Sequence, residues 1–122
     1  MSPGVEGGVR RVLGPADEVA GLLVEDGWDV ALVPRAGGDD ALWDGLASAL
    51  ALPGWFGRNL DALDEALRDL ARPTALVLAG WSRYARSEPE RWEGLLQVLR
   101  ERADGPGRPG DAAPRVVVVL TD

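Results

Sequence analysis

The chain has 122 residues, 46% of them hydrophobic, which suffices for one compact domain but not for two independent cores. Its net charge of −7 disfavours direct nucleic-acid binding. The absence of His, Cys and Lys excludes imidazole and thiolate nucleophiles, the zinc sites built from them, and Schiff-base or P-loop lysines. Because the sequence contains neither an apolar run of roughly 18 residues nor a secretory signal, we expect a folded cytoplasmic protein that does not enter a membrane.

The first predicted elements are a helix, a strand and a second helix. Residues 16–26 lie between a proline and a glycine, and they predict a helix with acidic residues in its first turn. Residues 28–33 predict a short strand. Asp39 or Asp40 is expected to cap the second helix, which Pro53 follows closely.

A third helix is predicted over residues 60–70, with Asn59 as its N-cap. One side of this helix carries leucines at helical spacing, which predicts a buried stripe. These leucines are Leu60, Leu63, Leu67 and Leu70. The opposite side is therefore left to solvent or to a partner.

The second half of the chain predicts two buried strands joined by a helix. Residues 74–79 and 115–120 are continuous apolar runs, which is typical of strands buried on both faces of a parallel sheet. Residues 87–103 predict the connecting helix, with Ser87 as its cap, and residues 105–114 form a connection rich in Pro and Gly. The element order predicts an α/β fold, a three-stranded parallel sheet flanked by helices.

Acidic residues cluster on the third predicted helix. At 100° per residue, four carboxylates share its exposed side: Asp61, Asp64, Glu65 and Asp69. Such a row can be a plain solvated face, but like charges one turn apart repel, so a partner that neutralises them would relieve that cost. Residues 1–70 carry a net charge of −8 and residues 71–122 a net charge of +1.

An aromatic pair precedes the acidic helix in a loop bounded by Pro and Gly. We expect Phe56 to join the core. Trp55, beside the carboxylate row, resembles a binding anchor, because an aromatic residue ringed by charge is typical of an interface hot spot. The other tryptophans lie in or beside predicted regular elements, so we assign them to the core. They are Trp28, Trp43, Trp81 and Trp92.

The segment LPGWFGRNLDALDEALRDL, residues 52–70, resembles the signature of the barstar family of small intracellular inhibitors of secreted microbial ribonucleases. TALVLAGW resembles the family's middle strand and the Trp after it, LLQVLRERADG its last helix, and VVVVLTD its closing strand. The resemblance spans about residues 28–122 and implies a single barstar-like domain over residues 1–122. Residues 1–27, with one predicted helix, look like an N-terminal addition.

The resemblance carries partner-binding roles to individual positions. Trp55 takes the place of a tyrosine that packs against the nuclease active site, and Asn59, Leu60 and Asp61 match contact positions as they stand. Glu65 occupies the place of the aspartate that enters the catalytic cleft and meets the phosphate-binding cations of the nuclease.

This sequence also departs from the family's pattern. Glu65 is one methylene longer than the usual aspartate, Asp64 stands where barstar has a contacting Trp, and Asp69 and Leu70 replace a Gly-Trp pair. Glu101, on the last helix, matches a peripheral acidic contact. These departures leave the target open among barnase, a differently shaped nuclease and another toxin domain.

The expected function is inhibition of a ribonuclease by carboxylates that stand where RNA phosphates would sit. We expect a small basic secreted ribonuclease or a related toxin domain as the partner, and a free protein that is monomeric, with no catalytic residue, cofactor or metal. One alternative is an immunity or regulatory module for a basic partner that is not a ribonuclease. A remote alternative is a Mg²⁺-dependent hydrolase that uses Asp61, Asp64 and Glu65.

Overall fold

The computed structural model of the chain describes residues 8–103 and 116–122, in which a parallel sheet is flanked by helices. The predicted connection at 105–114 lies outside the described residues. No described helix has both the length and the apolar character needed to cross a bilayer. In chain order the elements are β1 (Gly8–Arg11), α1 (Ala16–Glu25), β2 (Asp29–Val33), α2 (Asp39–Ala49), α3 (Leu60–Arg68), β3 (Thr74–Ala79), α4 (Trp81–Ser87), α5 (Pro89–Ala103) and β4 (Val116–Thr121).

The sheet has four parallel strands in the order β1-β4-β3-β2, so the predicted α/β class is confirmed and the prediction of three strands is wrong. The additional strand is β1, where Gly8 lies opposite Val117 and Arg11 opposite Leu120. Its sequence, GVRR, contains a single apolar side chain because it is an edge strand with two exposed arginines. The apolar pattern that reveals central strands is therefore missing from it.

The sheet buries both of its faces. Leu76 and Leu78 of β3 belong to a core cluster with side chains of α2, α3, α4 and α5. Because side chains alternate along a strand, Ala75 and Val77 point to the opposite face, where α1 contacts β2 and β3. The connection from β1 to β2 crosses the sheet in the direction opposite to the connections from β2 to β3 and from β3 to β4. Because crossovers are right-handed, α1 therefore lies on the face opposite to the other helices.

A short helix, α4, precedes the predicted connecting helix and was not predicted. Ser87, the predicted cap, is instead the last residue of α4, and Pro89 begins α5. The indole of Trp81 stacks on Trp92 with 5.3 Å between ring centroids, and Tyr84 meets Trp92 edge-on at 6.4 Å. Aromatic contacts, rather than a long apolar stripe, therefore hold α4 in place.

The start of α2 also differs from the prediction. Gly38 takes the N-cap position, and Asp39 and Asp40 lie in the first turn. The side chain of Asp39 accepts hydrogen bonds from the hydroxyl of Tyr84 at 2.7 Å and from Arg91 at 3.2 Å. Burial, followed by the hydrogen bond to Asp39 and the negative charge of Asp39, raises the pKa of Tyr84 above its usual value. Asp39 therefore links α2 to α4 and α5 and does not cap its own helix.

The predicted aromatic core is confirmed in part. Trp43 and Trp92 are buried, and Phe56 and Trp81 are half-buried and pack against the core cluster. Trp28 is half-buried and lies outside that cluster. The contact between Trp43 and Phe56 joins the loop between α2 and α3 to the core.

Candidate functional site

Helix α3 forms as its sequence predicts. The side-chain oxygen of Asn59 accepts a hydrogen bond from the backbone N–H of Ala62 at 2.8 Å, which confirms Asn59 as the N-cap. Leu63 and Leu67 are fully buried, and Leu60 is half-buried against the same core. This packing fixes which side of α3 faces outward, and Asp61 and Glu65 lie on that side.

Three carboxylates, two on α3 and one at its C-cap position, are exposed and form no salt bridge with any described residue. Asp61, Glu65 and Asp69 follow one another at intervals of one helical turn, about 6 Å along the axis. Within the described ranges, none of the three comes within 4.0 Å of an arginine. We call these three residues the carboxylate row. It presents negative charge to solvent that described residues of the chain do not neutralise.

Asp64 is placed differently from the carboxylate row. Its side chain is only 18% exposed, with one carboxylate oxygen 2.8 Å from Nε of Arg102 and the other 2.7 Å from Arg68. The contact with Arg102 is a buried ion pair that lacks hydrogen-bond geometry. Asp64 therefore joins α3 to α5 and is neutralised within the chain, so the structure does not bring it together with the three exposed carboxylates.

The loop before α3 presents Trp55 and buries its neighbour. Trp55 is 86% exposed, whereas Phe56 lies against Trp43 with 6.3 Å between ring centroids. Two contacts hold the loop. The backbone N–H of Phe56 donates a hydrogen bond to the carbonyl of Pro53, and Arg58 forms a salt bridge with Asp44 of α2. Trp55 is therefore an exposed aromatic side chain on an anchored loop that leads directly into α3.

Helix α5 lies close beside the start of α3. A Cβ atom at Gly94 would stand 3.0 Å from Cδ1 of Leu60, so a glycine at this position allows the two helices to approach. Glu101, one turn after Gln97 on the same helix, is exposed and accepts a weak hydrogen bond of 3.5 Å from that side chain. Glu101 is therefore an exposed acidic residue of α5, outside the carboxylate row.

The chemistry of this surface is that of a cation-binding face. When ionised, its exposed carboxylates accept hydrogen bonds and donate none. The residues described contain no group of three or more acidic side chains arranged to hold a metal ion. Sequence reasoning missed Arg102 and the pairing of Arg58 with Asp44, because tertiary contacts decide both. The pairing of Arg68 with Asp64 follows from their spacing by four residues on one helix.

Comparison with known proteins identifies the family. A search of curated proteins found no match to the chain. A family model described as Barstar (barnase inhibitor) matches residues 33–118, well over half of the chain, and this segment contains the anchored loop, the carboxylate row and α5. The chain belongs to the barstar family, whose members are inhibitors and not enzymes.

Proposed function

We propose that the protein inhibits a microbial ribonuclease by covering its active site with α3 and the loop that precedes it. The observation that carries this proposal is the carboxylate row, three exposed acids at one-turn spacing that no described residue pairs, preceded by the loop that exposes the indole of Trp55. A surface of this kind costs the free protein some repulsion, which a partner with clustered cations removes.

The mechanism is substitution of carboxylates for phosphates. A ribonuclease holds the RNA backbone with cationic side chains in a concave site, and carboxylates accept the same charge-assisted hydrogen bonds. Glu65, central in the row, is the group we assign to the phosphate-binding cations, with Asp61 beside it. Trp55 would bury its indole against the nuclease, since interface anchors are commonly aromatic. The capped helix and anchored loop need little reordering on binding, which limits the entropic cost.

The remaining candidate residues take supporting roles in this proposal. Asn59 fixes the start of α3 through its cap, Leu60 fills the contact with α5, and Glu101 lies at the rim. Asp64 contributes by holding α3 against α5. We propose a small basic secreted ribonuclease or a related toxin domain as the partner, bound by a monomeric inhibitor in the cytoplasm without a cofactor.

The test is a titration of the purified protein into a small guanyl-preferring microbial ribonuclease while RNA cleavage is followed. We expect stoichiometric inhibition by the unmodified protein. Asp61→Ala and Glu65→Ala should each weaken inhibition by roughly 30-fold to 5000-fold, because truncating a central, desolvated charge costs about 2–5 kcal/mol. Glu101→Ala should weaken it less than about fivefold, because pairs at an exposed rim contribute at most about 1 kcal/mol.

Glu65→Gln is the matched control for shape, because it removes the charge and keeps the side-chain length. It should behave like Glu65→Ala if charge carries the interaction. Equal and small losses for all four variants would contradict the proposed surface. Absence of inhibition by the unmodified protein, together with capture of a basic protein that is not a nuclease, would favour an immunity or regulatory module. The features that favour such a module are Asp64, where the family has a contacting Trp, and Asp69, where it has a Gly.

A further inference from the structure

The carboxyl ends of the strands form a second polar region, which shares no residue with the proposed inhibitory surface. At the end of β3 the chain turns into α4 on the core face, whereas at the end of β1 it turns towards α1 on the opposite face. β4 lies between these two strands. In open parallel sheets, ligands bind in the crevice outside the carboxyl ends at the point where the connections diverge in this way.

Arg11, at the end of β1, is held above an aromatic ring in this region. Its guanidinium lies 4.7 Å from the centre of the Trp81 ring, and Trp81 in turn stacks on Trp92. Such a contact orients the plane of the guanidinium and leaves its N–H groups at the edge available for other acceptors. Arg11 is therefore partly ordered by the ring, and no carboxylate of the described residues lies within 4.0 Å of it.

Two further arginines contact the turn that follows β3. Arg35 lies against Gly80, where a Cβ atom would stand 2.6 Å from Cγ and 2.9 Å from Nε of Arg35. Gly80 also has a φ of +62°, so both its backbone and its neighbour require glycine. Arg86 reaches back to the hydroxyl of Ser82 at 3.5 Å. We call Arg11, Arg35 and Arg86 the arginine edge.

The arginine edge carries more positive charge than its nearby acid balances. Asp122 accepts hydrogen bonds from the hydroxyl of Ser82 at 2.6 Å and from the N–H of Ser82 at 3.2 Å. These bonds, helped by Arg86 and Arg35, hold the pKa of Asp122 below its usual value. In the described part of the chain, no carboxylate comes within 4.0 Å of any guanidinium of the arginine edge.

We propose that the arginine edge binds a phosphate group. The planar guanidinium fork matches the geometry of phosphate oxygens, and each guanidinium can donate two parallel hydrogen bonds. A terminal phosphate offers three oxygens and up to two negative charges, enough to meet three guanidiniums around one turn, whereas a carboxylate offers two oxygens and one charge. The group can belong to free phosphate or to a phosphate monoester, and the test separates these two sources.

The test is calorimetric titration of the full chain with inorganic phosphate, with adenosine monophosphate and with acetate, at one ionic strength. We expect both phosphate compounds to bind and acetate to bind at least tenfold more weakly. Arg11→Gln and Arg86→Gln should each weaken phosphate binding about tenfold. Tighter binding of the nucleotide would identify a phosphate monoester as the ligand, and equal binding would identify the phosphate group alone.

Arg72→Gln is the matched control, because it removes the same charge as Arg86→Gln. Arg72 is exposed and lies just before β3, at the opposite, amino end of the sheet. It should leave phosphate binding unchanged. Amide chemical shifts in an NMR titration should move at Trp81 and Ser82, and this measurement needs no variant. Equal binding of acetate and phosphate, equal losses in Arg72→Gln and Arg86→Gln, or undisturbed Ser82 signals would each overturn the site.

Discussion

Two buried threonines of the sheet differ in one hydrogen bond. The hydroxyl of Thr74, at the start of β3, donates to the carbonyl of Arg72 at 3.0 Å. The hydroxyl of Thr121, at the end of β4, is fully buried and has no hydrogen-bond partner among the described residues. An unpaired buried hydroxyl is costly, because water satisfies it in the unfolded chain and nothing does so in the fold.

We predict that Thr121→Val raises the free energy of unfolding by about 1 kcal/mol. Valine has nearly the same shape, favours strands and removes the unpaired group. Thr74→Val is the control, and it should lower the free energy of unfolding by about 1 kcal/mol because a hydrogen bond is lost. Urea denaturation followed by Trp fluorescence measures both. A decrease in the free energy of unfolding for Thr121→Val as well would show that the hydroxyl of Thr121 has a hydrogen-bond partner in solution.

Residues differ in how far the sequence alone could place them. The cap at Asn59 was predictable because capping depends on residues within one turn. Trp55 and Phe56 were correctly separated, since the aromatic next to the acids is exposed and its neighbour packs on Trp43. Asp64 could not be separated from the carboxylate row, because its partner Arg102 lies on another helix and meets it only after folding.

At the scale of elements, the pair of α3 and α5 depends on Asp64. One oxygen of its carboxylate contacts Arg102 of α5, and the other contacts Arg68 within α3. Arg102 Nε is buried, so removing the charge of Asp64 leaves a desolvated cation without its counterion. The side chain of Asp64 remains 18% exposed and that of Arg102 30% exposed, so water screens the uncompensated charge and reduces the loss of stability.

We predict that Asp64→Asn lowers the free energy of unfolding by about 1 kcal/mol. Asp61→Asn, the matched control on the same helix, should leave it within about 0.5 kcal/mol or raise it, because repulsion within the carboxylate row is relieved. Thermal melts of both variants measure this difference. A double-mutant cycle with Arg102→Gln should give a favourable coupling energy for Asp64; a coupling near zero would contradict the interhelical role.

Among the elements, β1 and α4 were the ones the sequence did not reveal. Central strands β3 and β4 are buried on both faces, so their apolar runs identified them. β1 gains its place by backbone pairing with β4, which leaves little trace in side-chain composition. Helix α4 has seven residues, too few for a helical period to stand out, and three aromatic rings position it.

At the scale of the whole molecule, charge is distributed unevenly. The carboxylate row lies on the side of the sheet that carries the core cluster, and α1, with Asp17 and Glu18 in its first turn, lies on the other side. The chain as a whole has a net charge of −7. A basic partner is therefore attracted by the whole field at low salt, but only the nearby carboxylates act within a Debye length of about 8 Å at physiological salt.

We predict that the association rate with the ribonuclease falls at least tenfold between about 0.01 M and 0.5 M salt, with a much smaller change in the dissociation rate. Stopped-flow fluorescence measures both rates. Glu65→Gln and Asp17→Asn remove the same charge from the chain, so at physiological salt they separate local from global attraction. The first should slow association severalfold and the second should not, because Asp17 lies across the sheet from α3. Equal effects of the two variants would show that net charge, and not the carboxylate row, brings the partner to the site.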